Sequence, residues 1–152
     1  MPLSWKIVVC LICIMPSLSC TGKQPSSRGI SDAGLAPCPS SPNCVSSDAA
    51  DEAQRVNAFA LSASPADSWR VILEEVAALP RTTVVKETAN YLHAQCTSAL
   101  FGFVDDLELH LRTSDKIVAI RSASRVGYSD LGVNRRRVER LREALRARGV
   151  VR

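Results

Sequence analysis

The side chains best equipped for chemistry fall between positions 105 and 134: Asp105 and Asp106, then Arg121, Ser122, Ser124 and Arg125, then Ser129, Asp130 and Asn134. Paired carboxylates can divide general acid and base roles when their surroundings differ, or can hold a hard cation through oxygen ligands. Serine hydroxyls, Asp130 and Arg125 offer a different chemistry, a pocket lined to bind a polar ligand. Asp105 and Asp106 are adjacent, and successive side chains of an extended strand point to opposite faces. The two carboxylates could therefore serve one site only at a bulge or a strand end. The sequence holds two histidines, His93 and His110, and no recognisable nucleophile–base arrangement. No catalytic residue, metal site or cofactor is expected.

A hairpin must position these groups. Phe103, Leu107, Leu109 and Leu111 alternate along 102–112 and define a buried row that also contains Asp105. The partner strand is 116–126, and a two-residue Ser114-Asp115 turn fixes the register. Leu111 then faces Val118, Leu109 faces Ile120, Leu107 faces Ser122, Asp105 faces Ser124 and Phe103 faces Val126. The inner face turns polar toward one end. On the outer face Glu108 pairs with Arg121, and Asp106 lies diagonally near Arg125, cross-strand pairs each worth a few tenths of a kcal/mol. His93 and His110 fall on the same outer face, where a histidine is ordinarily solvated. An inward Asp105 must be paired, hydrogen-bonded or neutral, because an isolated buried charge is too costly. Two readings follow. Asp105 locks the 127–134 loop to the sheet, or the serines, Asp130 and Arg125 line a ligand pocket.

The remaining elements complete an α+β architecture. Residues 55–63 alternate as a strand. Ser64-Pro65-Ala66-Asp67 opens a helix with a serine cap and proline at its first position. Trp69, Ile72, Leu73, Val76 and Leu79 recur at helical spacing up to Pro80. Runs 82–88 and 91–98 form a first hairpin. Asn134 caps a last helix with Val138, Leu141 and Leu145 inward, arginines outward and Gly149 at its end. The order β-α-β-β-β-β-α predicts an antiparallel sheet of about five strands with both helices on one face.

The chain has 152 residues and a formal charge of +4, ordinary for one domain, but the charge is uneven. From Lys116 onward eleven Lys or Arg stand against Asp130, Glu139 and Glu143. A basic helix usually suggests nucleic acid, which export would exclude; anionic lipid head groups are the alternative partner for Arg135, Arg136, Arg137, Arg140, Arg142, Arg146 and Arg148. Export is read from the first twenty residues. Lys6 is followed by an apolar run from Ile7 to Met15, shorter than the ~20 residues a spanning helix needs, as in a signal peptide. Ser17-Leu18-Ser19-Cys20 resembles the lipobox of bacterial lipoproteins, which implies acylation of Cys20; its leucine stands one place later than usual. Residues 1–20 are thus expected to be a signal segment, 21–35 a flexible polar tether and 36–152 a single domain. The expected location is periplasm-facing, anchored by lipid, with Thr21 after the anchor favouring the outer membrane. Cys38-Pro39-Ser40-Ser41-Pro42-Asn43-Cys44 bends the chain back on itself and predicts a Cys38–Cys44 disulfide. Cys96 is left as a buried thiol.

Three segments carry a family resemblance: Cys38 to Ser47, Phe101 to Asp106, and Arg121-Ser122-Ala123-Ser124-Arg125-Val126-Gly127-Tyr128-Ser129-Asp130-Leu131-Gly132-Val133-Asn134-Arg135-Arg136-Arg137. They resemble the domain-of-unknown-function 1499 family of bacteria and plastids, over roughly 35–146. The resemblance carries no activity with it. It directs attention to Asp105, Asp106, Arg121, Ser124, Arg125, Ser129, Asp130 and Asn134. The leading functional expectation is a non-enzymatic envelope module that binds a small polar ligand or another envelope component at the Asp105, Ser124 and Asp130 end of the sheet. A carboxylate- or metal-dependent hydrolase and a membrane-surface docking module are the alternatives.

Overall fold

A computed structural model describes residues 28–31 and 34–152; the signal segment, Cys20 and the first part of the expected tether lie outside them. Strands β1 (Ile30–Ser31) and β2 (Gly34–Leu35) form a small antiparallel pair. The main sheet contains β3 (Cys44–Ser46), β4 (Phe59–Ala60), β5 (Thr82–Glu87), β6 (Tyr91–Thr97), β7 (Val104–Arg112) and β8 (Ile117–Ser124). Its order is β3-β8-β7-β6-β5, all neighbours antiparallel, and β4 also pairs with β8. Helices α1 (Pro65–Ala77) and α2 (Val133–Ala147) cover one face. The α+β class and the placement of both helices are as expected.

The β7–β8 register agrees with the sequence reading from Leu111 opposite Val118 to Asp105 opposite Ser124. It does not extend to Phe103 and Val126, which are exposed. There the chain leaves the sheet, with Arg125 N donating to Val104 O. The predicted strand 55–63 narrows to Phe59–Ala60, with isolated bridges at Arg55 and Leu61. Its alternation also fails, since Val56, Phe59 and Leu61 are all buried. Strand β3 begins at Cys44, where the cysteine loop ends and the sequence suggested no strand; its pairing partner is 75 or more residues away in β8 and leaves no local signal. The inner rows Leu107, Leu109, Leu111, Val118 and Ile120 pack with Phe59, Trp69, Ile72, Val76, Val138, Leu141 and Leu145 into one core. Helix α1 starts as predicted, Ser64 Oγ accepting from Asp67 N.

Helix α2 departs from expectation at its start. Asn134 is not the cap; Gly132 occupies that place with φ 77°, and Asp130 accepts from Gly132 N and Asn134 N. Not all its arginines face outward either. Arg142 lies over the Phe59 ring at 4.8 Å and donates to the carbonyls of Asn57 and Ala58.

The outer face is not a solvated surface. Leu35, the last residue of the expected tether, is buried with Tyr91 and Ala119. Gly34 brings the backbone so close that a Cβ would stand 2.6 Å from Arg112 and Asp48 side-chain atoms, and its φ of +104° also favours glycine. Asp48 accepts from Leu35 N and pairs with Arg112. The Cys38–Cys44 disulfide is formed, with Cα atoms 5.7 Å apart, and closes a loop over the β8 end of the same face. No helix among the described residues is long and apolar enough to cross a membrane.

Leu109→Ala, at a fully buried inner-row position, should cost about 2–5 kcal/mol, whereas Phe103→Ala should change stability by no more than about 0.5 kcal/mol. Urea denaturation of both variants checks the inner row and where it ends; comparable losses would mean that β7 continues inward past Val104.

Candidate functional site

Strand β7 carries carboxylates on both faces, and each face answers with arginine. On the inner face Asp105 accepts from Arg137 Nη2 at 2.5 Å. Arg137 Nη1 reaches Ser122 Oγ at 2.9 Å and Asn134 Oδ1 at 2.6 Å, while Ser122 Oγ donates to Asn134 Oδ1. Asn134 Nδ2 lies within 2.9 Å of Ser124 Oγ and Asp130 Oδ2 and 3.1 Å from Asn43 O. Asn43 continues the chain of bonds to Gly127 O and Ser41. Asp105, Ser122, Ser124, Asp130 and Asn134 are thus brought together as the sequence suggested, but every one is occupied by its neighbours. Ser129 stays outside, exposed, its hydroxyl accepting from Leu131 N. Arg137 was counted among outward arginines, although its spacing of three from Asn134 places both on one helix face.

On the outer face Asp106 is 1 % exposed and Glu108 0 %. Arg125 grips Asp106 with two donors, Nε at 3.0 Å and Nη2 at 2.8 Å. His93 Nε2 lies 2.7 Å and Arg28 Nη1 3.0 Å from the same carboxylate. Burial alone would raise the Asp106 pKa; the bonds from His93 and Arg125 and the charges of Arg125 and Arg28 outweigh it and hold the carboxyl well below its ordinary range. Glu108 accepts from Arg121 Nη1 at 2.8 Å, Tyr91 OH at 2.6 Å and Gly29 N at 2.8 Å. Burial, then the bond to Glu108, pushes the Tyr91 phenol far above its usual value, so it remains a proton donor. His93 is buried rather than solvated, because residues 28–31 and 34–35 cover a face that alternation alone marks as outward. Its place in the β6–β7 register, diagonal to Asp106, brings the two side chains together.

The predicted residues therefore divide into two groups on opposite sides of the sheet. Asp106, Arg121 and Arg125 line a cleft of about 490 Å³ between the outer face and the disulfide loop, with Cys38, Asn43 and Ser124 at its edge. Gln54 Nε2 donates to Pro39 O and Ser41 O and so holds the roof of this cleft. Arg121 is 3 % exposed, and its Nε has no hydrogen-bond partner among the described residues. Buried donors are almost always satisfied. Arg121 and Arg125 both line this cleft, and two guanidinium groups, one with a nitrogen left unpaired, suit an oxyanion. Among the described residues no three His, Cys, Asp or Glu side chains converge as metal ligands would.

Together the fold and this cleft define an antiparallel α+β domain with an arginine–carboxylate layer on each side of its central strand. The chain belongs to the DUF1499 family of proteins of unknown function, whose family model matches residues 34–145. No curated protein and no solved structure matches it.

Asp106→Asn should cost about 3–5 kcal/mol at neutral pH by leaving the buried Arg125 guanidinium without its carboxylate. The folded carboxyl titrates below its ordinary value of 3.8, so the folded state binds fewer protons than the unfolded one. Its contribution is complete above about pH 4 and is lost as pH falls through the folded pKa. Urea midpoints measured from pH 7 downward should therefore fall more steeply below about pH 4 in the natural chain than in the variant; equal acid slopes would remove Asp106 as the source.

Proposed function

We propose that this domain is a non-enzymatic binding module of the bacterial envelope, lipid-anchored through Cys20 and facing the periplasm, and that it takes up a small carboxylate- or phosphate-bearing anion in the cleft beneath the disulfide loop. The observation that carries the reading is the buried, unpaired Nε of Arg121 beside Arg125. The site thus moves from the Asp105, Ser124 and Asp130 end, whose groups satisfy one another, to the other side of the same sheet. The Cys38–Cys44 bond supports export, since disulfides persist in oxidising compartments. The lipobox-like Ser17-Leu18-Ser19-Cys20 and the signal-type run before it support anchoring and an outer-membrane address.

A hydrolase built on Asp105, Asp106 and Asp130 has less support. The pleat separates Asp105 from Asp106, Asp130 caps α2, and an Asp106 held ionised by three partners is a poor proton donor.

Native mass spectrometry of the full chain, extracted in detergent from the envelope, should reveal a co-purifying anion, and calorimetry should show binding of inorganic phosphate or succinate. Arg121→Lys keeps a cation for Glu108 but loses the planar donor edge, and should weaken that binding about tenfold or more. An empty natural chain that binds neither probe sinks the anion reading and leaves Arg121 as the partner of Glu108 alone.

A further inference from the structure

Four large side chains stand in solvent at one end of the domain: Leu131 is 83 % exposed, Leu100 80 %, Tyr128 76 % and Phe101 66 %. They belong to two loops, 98–103 between β6 and β7 and 125–132 between β8 and α2. Phe103, Val126 and Val133 add exposed apolar surface to the same loops and the start of α2. The bases of the loops are neighbours, because Arg125 N bonds Val104 O, and a cavity of about 410 Å³ lined by Ser98, Ala99, Val133 and Arg136 joins the first loop to the start of α2. Single exposed apolar residues are ordinary, but a contiguous group marks an interaction surface.

The exposure of Leu131 is built into the backbone. Its φ of 52° is left-handed, a conformation that a branched side chain rarely adopts. The turn is pinned around it: Ser129 Oγ accepts from Leu131 N, Asp130 accepts from Gly132 N, and Arg136 donates to Leu131 O. A strained residue held outward invites a functional reading.

The charge around these tips has one sign. The cavity between the 98–103 loop and the start of α2 is lined by Arg81, Arg136, Arg137 and Arg140 and by no carboxylate. Asp130 is engaged in capping α2, and Asp105 is buried against Arg137. Arg140 makes no ion pair among the described residues. The rest of the basic helix is largely committed elsewhere: Arg135 to backbone carbonyls, Arg142 to the core, and Arg148 to Glu74 and Glu75. Arg136 and Arg140 put positive charge in the N-terminal half of α2, next to the apolar tips, and Arg146 adds an exposed cation in its last turn.

We propose that this end of the domain docks on an anionic lipid bilayer, with Leu100, Phe101, Tyr128 and Leu131 entering the head-group boundary and Arg81, Arg136 and Arg140 facing lipid phosphates. Protruding apolar residues rimmed by arginine fit that surface. A second copy would bring the same arginines against one another. The chain also enters the domain at this end, because Arg28 contacts Asp106 near the start of β7. Eight residues from Cys20 to Arg28 span at most about 30 Å; this point alone rests on the proposed anchor.

The test uses the full chain reconstituted into vesicles of phosphatidylcholine, with or without phosphatidylglycerol, whose acyl chains carry bromine to quench tryptophan. Phe101→Trp reports on the proposed tip, and Ser114→Trp on the β7–β8 turn at the opposite end. With phosphatidylglycerol and low salt, Phe101→Trp should blue-shift and be quenched while Ser114→Trp is not, and salt near 1 M, where screening acts over about 3 Å, should reverse this. Arg140→Gln should lower the ratio of docked to free domain about fivefold, and Arg136→Gln with it by a similar further factor. Unquenched Phe101→Trp, equal quenching at both positions, or a blue shift that needs no lipid and grows with protein concentration would each overturn the proposal, the last in favour of self-association. Loss of anion binding in Arg121→Lys with tip quenching intact separates this surface from the cleft.

Discussion

Burying three carboxylates on one strand is the constraint around which this domain is arranged. Asp105 faces the helices while Asp106 and Glu108 face the other way, and each is almost fully removed from water. A lone buried carboxylate costs several kcal/mol even after relaxation, so each must meet a cation. Arg137 descends from α2 to Asp105, Arg121 comes from β8 to Glu108, and Arg125, just past the end of β8, reaches Asp106. A slip of one residue would turn every side chain of β7 to the wrong face. The arginines on opposite sides therefore specify register as well as charge balance.

That arrangement explains why the sheet is covered on both faces. An antiparallel sheet commonly packs one face and leaves the other to water. Here residues 28–31 and 34–35 and the disulfide loop lie across the second face, and Gly29 N donates to Glu108 as part of the cover. The layer beneath is polar yet buried. The paired carboxylates give a rigid floor, in which Arg121 Nε is a buried donor without a partner among the described residues.

The cysteine loop joins the two layers. Asn43 accepts from Asn134 on the inner side and donates to Gly127, and Cys44 begins the strand that pairs with β8. A loop of six residues restrains the unfolded chain only modestly, by roughly 2 kcal/mol. Its larger effect is positional, since it sets the roof of the cleft and the path of the exposed 125–132 loop.

What the sequence determined by itself was local and periodic. The alternation of Leu107, Leu109 and Leu111 defined a buried row, the Ser114-Asp115 turn set the register through Asp105 and Ser124, and Ser64-Pro65 started α1, because these signals arise from neighbours within a few residues. Pairings such as Glu108 with Arg121 and Asp106 with Arg125 were legible for the same reason. What only the tertiary structure decided was burial and occupancy. Alternation assigns His93, Asp106 and Glu108 to one face but does not say that a segment some seventy residues earlier will cover it. The spacing of Asn134 and Arg137 places both on one helix face but does not say that Asp105 lies opposite. Cys44–Ser46 becomes a strand only because β8 has an open edge there. Each of these depends on contacts between distant parts of the chain, whose free energy no local pattern records.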